Sequence, residues 1–395
     1  MNKNLLLLSF LTCALTLSAE GKAVKLQESV ITTENFETNI RDTASNVSII
    51  TSEEIEEKGV QNLVEALRLA PGVIVSHYYG GVKFDIRGAG SPVHAEKNTI
   101  VTLDGVPIKG DQIANIPINN IDRIEVIPGG GGILYGDGAI GGIVNIRLKN
   151  ISNFDKNKLY KGEIRASASS YNSNTFGMSL SSKITNKIYT DITYNSNLKR
   201  SEQRGDQYGD LFDKRKNFII NTKFDLAKGE LNLRYTRDER KYAKSGDLTE
   251  EEYYTDDKNP GDVSRGKSYS NDYYLNYNYN FSSNTQFLTY FGLYEKEFES
   301  YNAKEGTSIP QDDEQKIYSK IQLKHKYFND DYFIIGSDFA QEIANPQNKS
   351  RKNSTKDSYG FFLMNENSID KFIFSQGIRY NNAEYNYYIL YLERK

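Results

Sequence analysis

The sequence has 395 residues, a formal net charge of −3, one cysteine and no tryptophan, so bulk electrostatics favour neither nucleic acid nor an anionic membrane surface as partner. Mean hydropathy is −0.62, and beyond the N-terminus there is no apolar run of the roughly 20 residues a helical span needs. A transmembrane barrel remains open, because its strands alternate an apolar outer face with a polar lumen and so keep mean hydropathy low.

Residues 1–19 read as a secretory signal, with Lys3 as the charged start, Leu5 to Leu17 as the apolar core and Ser18-Ala19 as a small-residue cleavage region. Cys13 lies inside that core, and Phe10-Leu11-Thr12 before it fits a lipoprotein signal poorly. Once the signal is removed the chain has no thiol and forms no disulfide. A polar tail over residues 20–44 then carries a short β-prone island, Glu28-Ser29-Val30-Ile31-Thr32-Thr33. An extended segment of this kind can add a strand to another protein's sheet edge. The alternative is an ordinary edge strand of the domain that follows.

Ser45 to Thr51 reads as a strand, and Ser52 is the expected N-cap of a helix whose first turns hold Glu53, Glu54, Glu56 and Glu57. Gly59 ends it. A second helix takes Leu63, Ala66, Leu67 and Ala70 at helical spacing and stops before Pro71-Gly72. Strands follow at Val73-Ile74-Val75, around Phe84-Asp85-Ile86 before Arg87-Gly88, and over Thr99 to Ile108 with a tight turn at Asp104-Gly105. Between them, His77 to Gly81, Ala89 to Asn98 and Lys109 to Asn115 are expected loops. His77, Tyr78, Tyr79 and His94 could ligate haem iron. The plainer reading, that they line a wet polar site, is preferred, and Lys109, Asp111 and Gln112 join them in it.

Ile121 to Asn150 sets two β-branched runs around a glycine-dense stretch that includes Gly129 to Gly132, Gly136, Gly141 and Gly142. This predicts strand, turns with positive φ, close backbone packing and strand again. No Gly-Lys-Ser/Thr follows, and no helix is expected, so a nucleotide phosphate loop is rejected.

From Lys161 onward the period becomes two over long segments. Leu231, Leu233 and Tyr235 alternate with Asn232, Arg234 and Thr236, and Ile317, Ile321 and Leu323 with Lys320, Gln322 and Lys324. About eleven such strands are expected. Short turns near Asn186, Lys228, Ser282, Asn329 and Asp370 alternate with long polar loops at Ser201 to Arg215, Lys241 to Lys267, Asn302 to Asp313 and Asn345 to Thr355. That asymmetry suits an outer-membrane barrel. Acidic residues in the longest loop would suit calcium, but their spacing matches no cation loop, and a solvated loop is preferred.

Residues 28–150 resemble the plug domain of TonB-dependent outer-membrane receptors. The resemblance rests on Thr51-Ser52-Glu53-Glu54-Ile55, Ala70-Pro71-Gly72-Val73, Arg87-Gly88, Asp104-Gly105, Arg123-Ile124-Glu125-Val126, Leu134-Tyr135-Gly136 and Ala139-Ile140-Gly141-Gly142 with Val144-Asn145-Ile146. One departure is Pro128-Gly129-Gly130, where many members carry Arg-Gly-Pro, so a positive charge in that turn is missing. The resemblance implies an α+β plug over residues 45–150 followed by antiparallel transmembrane β-barrel strands over 151–395. The family barrel has about twenty-two strands, so eleven imply an incomplete barrel, an open curved sheet. The charged end, Glu393-Arg394-Lys395, where the family ends on an aromatic residue, points the same way. Glu28 to Thr33 would then be the TonB box, contacting TonB and its inner-membrane energising complex. The plug loops would hold an iron chelate or similar small molecule, most simply a ferric siderophore, with haem or cobalamin as alternatives. Outer-membrane lipid would surround the wall. No catalytic constellation, cofactor fingerprint or metal cluster is read. The competing class is a non-transporting surface or signalling receptor.

Overall fold

The computed structural model describes residues 29–30, 38–39, 47–60, 62–78, 81–88, 99–108, 110–113, 116–129, 132–139, 141–149, 158–200, 211–246, 249–256, 258–259, 261, 263–302, 308–309, 312–328, 331–346, 353–369 and 372–386. The expected signal segment lies outside them. In the tail, β1 (Ser29–Val30) pairs antiparallel with β2 (Thr38–Asn39).

The plug is built on a five-stranded sheet. Its strands are β3 (Ser48–Thr51), β6 (Thr99–Leu103), β7 (Val106–Ile108), β8 (Ile121–Pro128) and β9 (Gly142–Leu148), in the order β3-β8-β9-β6-β7. β6 and β9 run parallel and the other neighbours antiparallel. Two short helices, α1 (Ser52–Glu57) and α2 (Leu63–Leu67), bury Ile55, Leu63, Val64, Ala66 and Leu67 against Ile50, Val101, Ile124, Val144 and Ile146. β4 (Val73–Tyr78) and β5 (Gly81–Ile86) form a separate hairpin.

Several local expectations change. Thr51, not Ser52, caps α1, its hydroxyl accepting from Glu54 N at 3.2 Å. Both residues have the hydroxyl a cap needs, and the strand hands over one residue early. α2 ends at Leu67, and Ala70 joins the core from the turn beyond. His77 and Tyr78 lie on β4 rather than in a loop, and Tyr79 falls outside the described residues. Within the expected 109–115 loop sits one helical turn, α3 (Gly110–Ile113), which buries Ile113. The glycine-dense stretch also holds a helical turn, α4 (Gly132–Tyr135), and a 3-10 turn at Asp137–Ala139. Among the described residues the α-helical part is this one turn, and no Gly-Lys-Ser/Thr follows it in the sequence.

The second sheet is a wall of eleven long strands. They are β10 (Tyr160–Ser169), β11 (Ser173–Thr185), β12 (Ile188–Arg200), β13 (Phe212–Leu226), β14 (Gly229–Lys244), β15 (Ser264–Asn280), β16 (Thr285–Asn302), β18 (Asp312–Phe328), β19 (Asp331–Pro346), β20 (Ser354–Ile369) and β21 (Phe372–Asn386). Each pairs antiparallel with the next, and the two-residue β17 (Ser308–Ile309) is added to β16. Among the described residues the sheet is not closed, and β10 and β21 are its edges. A short helix, α5 (Glu250–Thr255), with a Thr249–Glu252 capping box, lies in the longest loop. The alternation is as the pattern predicts. Lys320 and Gln322 are each 1% exposed on the plug side, whereas Ile321 between them is 51% exposed on the outer side. Near the short-turn end, Tyr277, Tyr279, Phe281 and Phe287 form an outward aromatic cluster with centroids 5.0–6.4 Å apart. His325 sits at that end too, against Phe333 at 5.5 Å and hydrogen-bonded to Thr285 at 2.9 Å. Such bands occur at membrane–water interfaces.

Candidate functional site

The plug motif residues form one closed polar set in an otherwise apolar sheet. Glu125 is fully buried on β8. One carboxylate oxygen accepts from Arg123 Nε at 2.8 Å and the other from Asn145 Nδ2 at 2.9 Å. The Asn145 Oδ1 in turn accepts from the Thr102 hydroxyl at 2.8 Å and from Gly105 N at 3.2 Å. Buried charge is tolerated when its lone pairs are satisfied in this way. The network ties β8, β9 and β6 to the turn that follows β6.

That turn meets the wall. Asp104 and Gly105 have φ of +51° and +87°, the left-handed geometry of a two-residue hairpin turn. The Asp104 carboxylate accepts from Leu148 N at 3.1 Å and faces Arg147 at 3.5 Å, both in the plug. Its second oxygen pairs with Arg234 on β14, whose guanidinium lies 4.6 Å from the centre of the Tyr274 ring. Tyr274 Oη donates to the Asp104 carbonyl at 3.4 Å. Gln112 on α3 makes a third contact, donating to Asp272 on β15 at 3.2 Å.

The Leu-Tyr-Gly segment docks differently. The α4 turn is too short to use its own last carbonyls. Lys320 Nζ on β18 donates to the Leu134 carbonyl at 2.9 Å and lies 4.4 Å from the Tyr135 ring centre. Arg379 on β21 donates to the Ile133 carbonyl at 3.3 Å and holds Asp338 on β19 through two bonds of 2.7 and 2.8 Å. Gly136, at φ +83°, lets the chain turn away at a point where a Cβ would stand 3.4 Å from Arg379. The turn that lacks the expected Arg-Gly-Pro cation thus lies beside a segment held by cations from the wall.

Above these contacts lies a cavity of about 670 Å³ between plug and wall, lined by Ile108, Ile113 and Tyr135 from the plug and by Tyr290, Lys320 and Tyr385 among the wall residues. Its charged lining is Lys320, Lys356 and Arg379 against Asp338 and Glu342. Glu342, Lys356 and Tyr385 lie toward the long-loop ends of β19, β20 and β21. The wall supplies the charged groups of this site. Sequence alternation puts Lys320 and Arg234 on the polar face but gives no sign of their plug partners.

The other sequence-predicted residues are scattered. Ser29 and Val30 lie in β1, while Glu28, Ile31, Thr32 and Thr33 are outside the described residues. His94 and Lys109 are also outside them, and Asp111 lies on α3. Arg87 and Gly88 form a turn at φ +57° and +70°, closed by Arg87 N on the Gly72 carbonyl at 2.8 Å. Gly141 accepts from Gly129 N at 3.1 Å. Among the described plug glycines the tightest approach falls on Gly142, at φ +138°, where a Cβ would fall on the Ile127 carbonyl oxygen.

The family model of the TonB-dependent receptor plug domain matches residues 39–143. The vitamin B12 transporter BtuB of Vibrio vulnificus is 32% identical over 155 residues, 37% of this chain and 25% of that protein. The ferric enterobactin receptor of Pseudomonas aeruginosa is 32% identical over 153 residues, 33% of this chain and 19% of that protein. The ferric yersiniabactin uptake receptor FyuA of Yersinia pestis has a similar fold, with a TM-score of 0.62 at 14% identity, covering 86% of this chain and 61% of that one. The matched stretch thus spans a quarter or less of the two curated relatives. Residues 39–143 thus carry a TonB-dependent receptor plug domain, and with the antiparallel wall that follows, apolar on its outer face, the chain has the fold of the uptake receptor FyuA.

Proposed function

We propose that the chain forms the plug and one side of the wall of an energised uptake receptor whose ligand is an anionic iron chelate of the ferric siderophore class. The observation that carries this reading is the cavity lining, with three cations against two carboxylates and neutral donors from Tyr290, Tyr318, Asn381 and Asn382. An excess of cations in a half-enclosed site favours an anionic guest. Lys109, Asp111 and Gln112 are proposed as plug contacts to the same ligand, with His77, Tyr78, Tyr79 and His94 as further polar groups on the plug. Glu28 to Thr33 is the proposed contact to TonB. Ser29–Val30 already holds the extended form that strand addition to a partner requires.

A second reading, cobalamin, is favoured by the vitamin B12 transporters among the relatives. Growth of a strain lacking the gene, on a panel of ferric siderophores, haem and cobalamin as sole sources, separates the two. The expected result is loss of growth on one ferric siderophore, restored by the gene. Loss on cobalamin alone moves the assignment to the second reading, and unchanged growth on every source rejects both.

A further inference from the structure

Lys320 and Arg379 stand in two places at once: both line the cavity, and both hold plug carbonyls. We infer that they are a ligand-operated latch: an anionic group entering the cavity draws both cations from the carbonyls of Leu134 and Ile133 and frees the Gly132–Gly136 turn from the wall. This rests on the proposed uptake reading and adds the step by which occupancy is felt by the plug.

The chemistry follows from the acceptors. A carbonyl offers these cations a charge-assisted bond but no net charge, whereas an anion adds direct charge–charge attraction to the same hydrogen bonds. An anion within reach therefore outcompetes the carbonyls for the same donors. The two cations are built for different parts. Arg379 is fixed by its two bonds to Asp338. It reaches them across Gly360, where any Cβ would collide with its guanidinium; a glycine there keeps the slot open. Lys320 has a flexible four-carbon stem, lies opposite Asp338 in the β18–β19 register and rests on the rings of Tyr135 and Phe362 at 4.4 and 5.1 Å. It can swing toward an anion, whereas Arg379 stays on Asp338 and gives up only its 3.3 Å bond to the Ile133 carbonyl.

The test is hydrogen exchange of residues 132–139 in outer membranes carrying the full chain, with residues 121–128 of β8 as the control for an intact plug. Citrate is the anionic probe and mannitol the uncharged one. In the wild type, citrate is expected to speed exchange of residues 132–139 about tenfold, mannitol not at all, and β8 is expected to stay protected. Lys320→Met and Gly360→Ala should each exchange fast without citrate and gain little from it. A Lys320→Met turn as protected as wild type overturns the latch. A wild-type turn indifferent to citrate, with Lys320→Met already fast, overturns the coupling and leaves a static anchor. Failure of cells to take up any chelate counts against the uptake reading alone, since the exchange results stand without it.

Discussion

The plug sheet and the wall sheet obey the same two-residue alternation in opposite surroundings. In the plug, β8 and β9 are covered on both faces, and Ile124, Val126, Ile143, Val144 and Ile146 are all at 0% exposure. Strands buried on both faces read as near-continuous apolar runs, and the polar residues among them survive as the closed Glu125–Asn145–Thr102 set. In the wall, the outer face is apolar, as at Ile321 and Ile335, while the buried inner face carries Lys316, Lys320, Gln322 and Lys324 beside apolar residues such as Leu288, Ile334 and Phe362 that pack with Val106 and Leu134 of the plug. A dry core admits polar groups when they satisfy one another, whereas the wall turns its polar groups toward a plug that offers carbonyls and a carboxylate. The plug–wall interface is where these two rules meet: an apolar patch sets Val106 and Leu134 on Leu288, Tyr290, Ile334 and Phe362, and beside it the wall cations Arg234, Lys320 and Arg379 are held by plug acceptors.

The sharpest way to break the contrast is in the dry sheet. Gly142→Val places a side chain on the Ile127 carbonyl at a φ of +138°, a combination expected to cost more than ~4 kcal/mol. Plug protease resistance in outer membranes should be lost. Next, Glu125→Ala leaves Arg123 and Asn145 without their shared acceptor, for a loss of about 3–5 kcal/mol. Denaturant unfolding followed on the plug should shift accordingly, and Glu125→Gln should recover part of the loss by keeping a hydrogen-bond partner.

The wall should be sensitive on its outer face instead. Ile321→Lys puts a charge on the lipid side near the middle of β18, at about 2–4 kcal/mol, read as less heat-modifiable protein in the outer membrane. The smallest effect is expected at Gly292, where an added Cβ meets Val106 at 3.7 Å, an ordinary contact. Gly292→Ala should stay within about 0.5 kcal/mol of wild type. If it proved as damaging as Gly142→Val, clearance around the missing Cβ would not be what sets the cost of replacing a glycine in either sheet.

Much of the architecture was legible in the residues. Period-two patterning marked the eleven wall strands and their faces, because lipid and lumen impose opposite polarity on neighbouring positions. Asp104-Gly105 marked its hairpin because few other pairs accept two positive φ values. The α4 turn was not legible, since glycine disfavours helix and the turn is steadied by Lys320 and Arg379, 186 and 246 residues away in sequence from the carbonyls they hold. The candidate site was hidden for the same reason. Alternation says that Lys320, Asp338 or Arg234 points inward, and only the packing of plug on wall says what each one meets. His77 and Tyr78 looked like loop residues because aromatic and glycine residues adjoin them, yet β4 continues through both.

The most direct measurement of energised uptake through this plug compares binding with accumulation of the iron-labelled siderophore identified by the growth panel, in cells whose receptor lacks Glu28 to Thr33. Binding at the cell surface should stay at the wild-type level, because the cavity is untouched, while accumulation falls to that of a strain lacking the gene. Accumulation at the wild-type rate in the deletion strain would contradict energy transfer through this segment and, with it, the assignment of the chain to driven uptake.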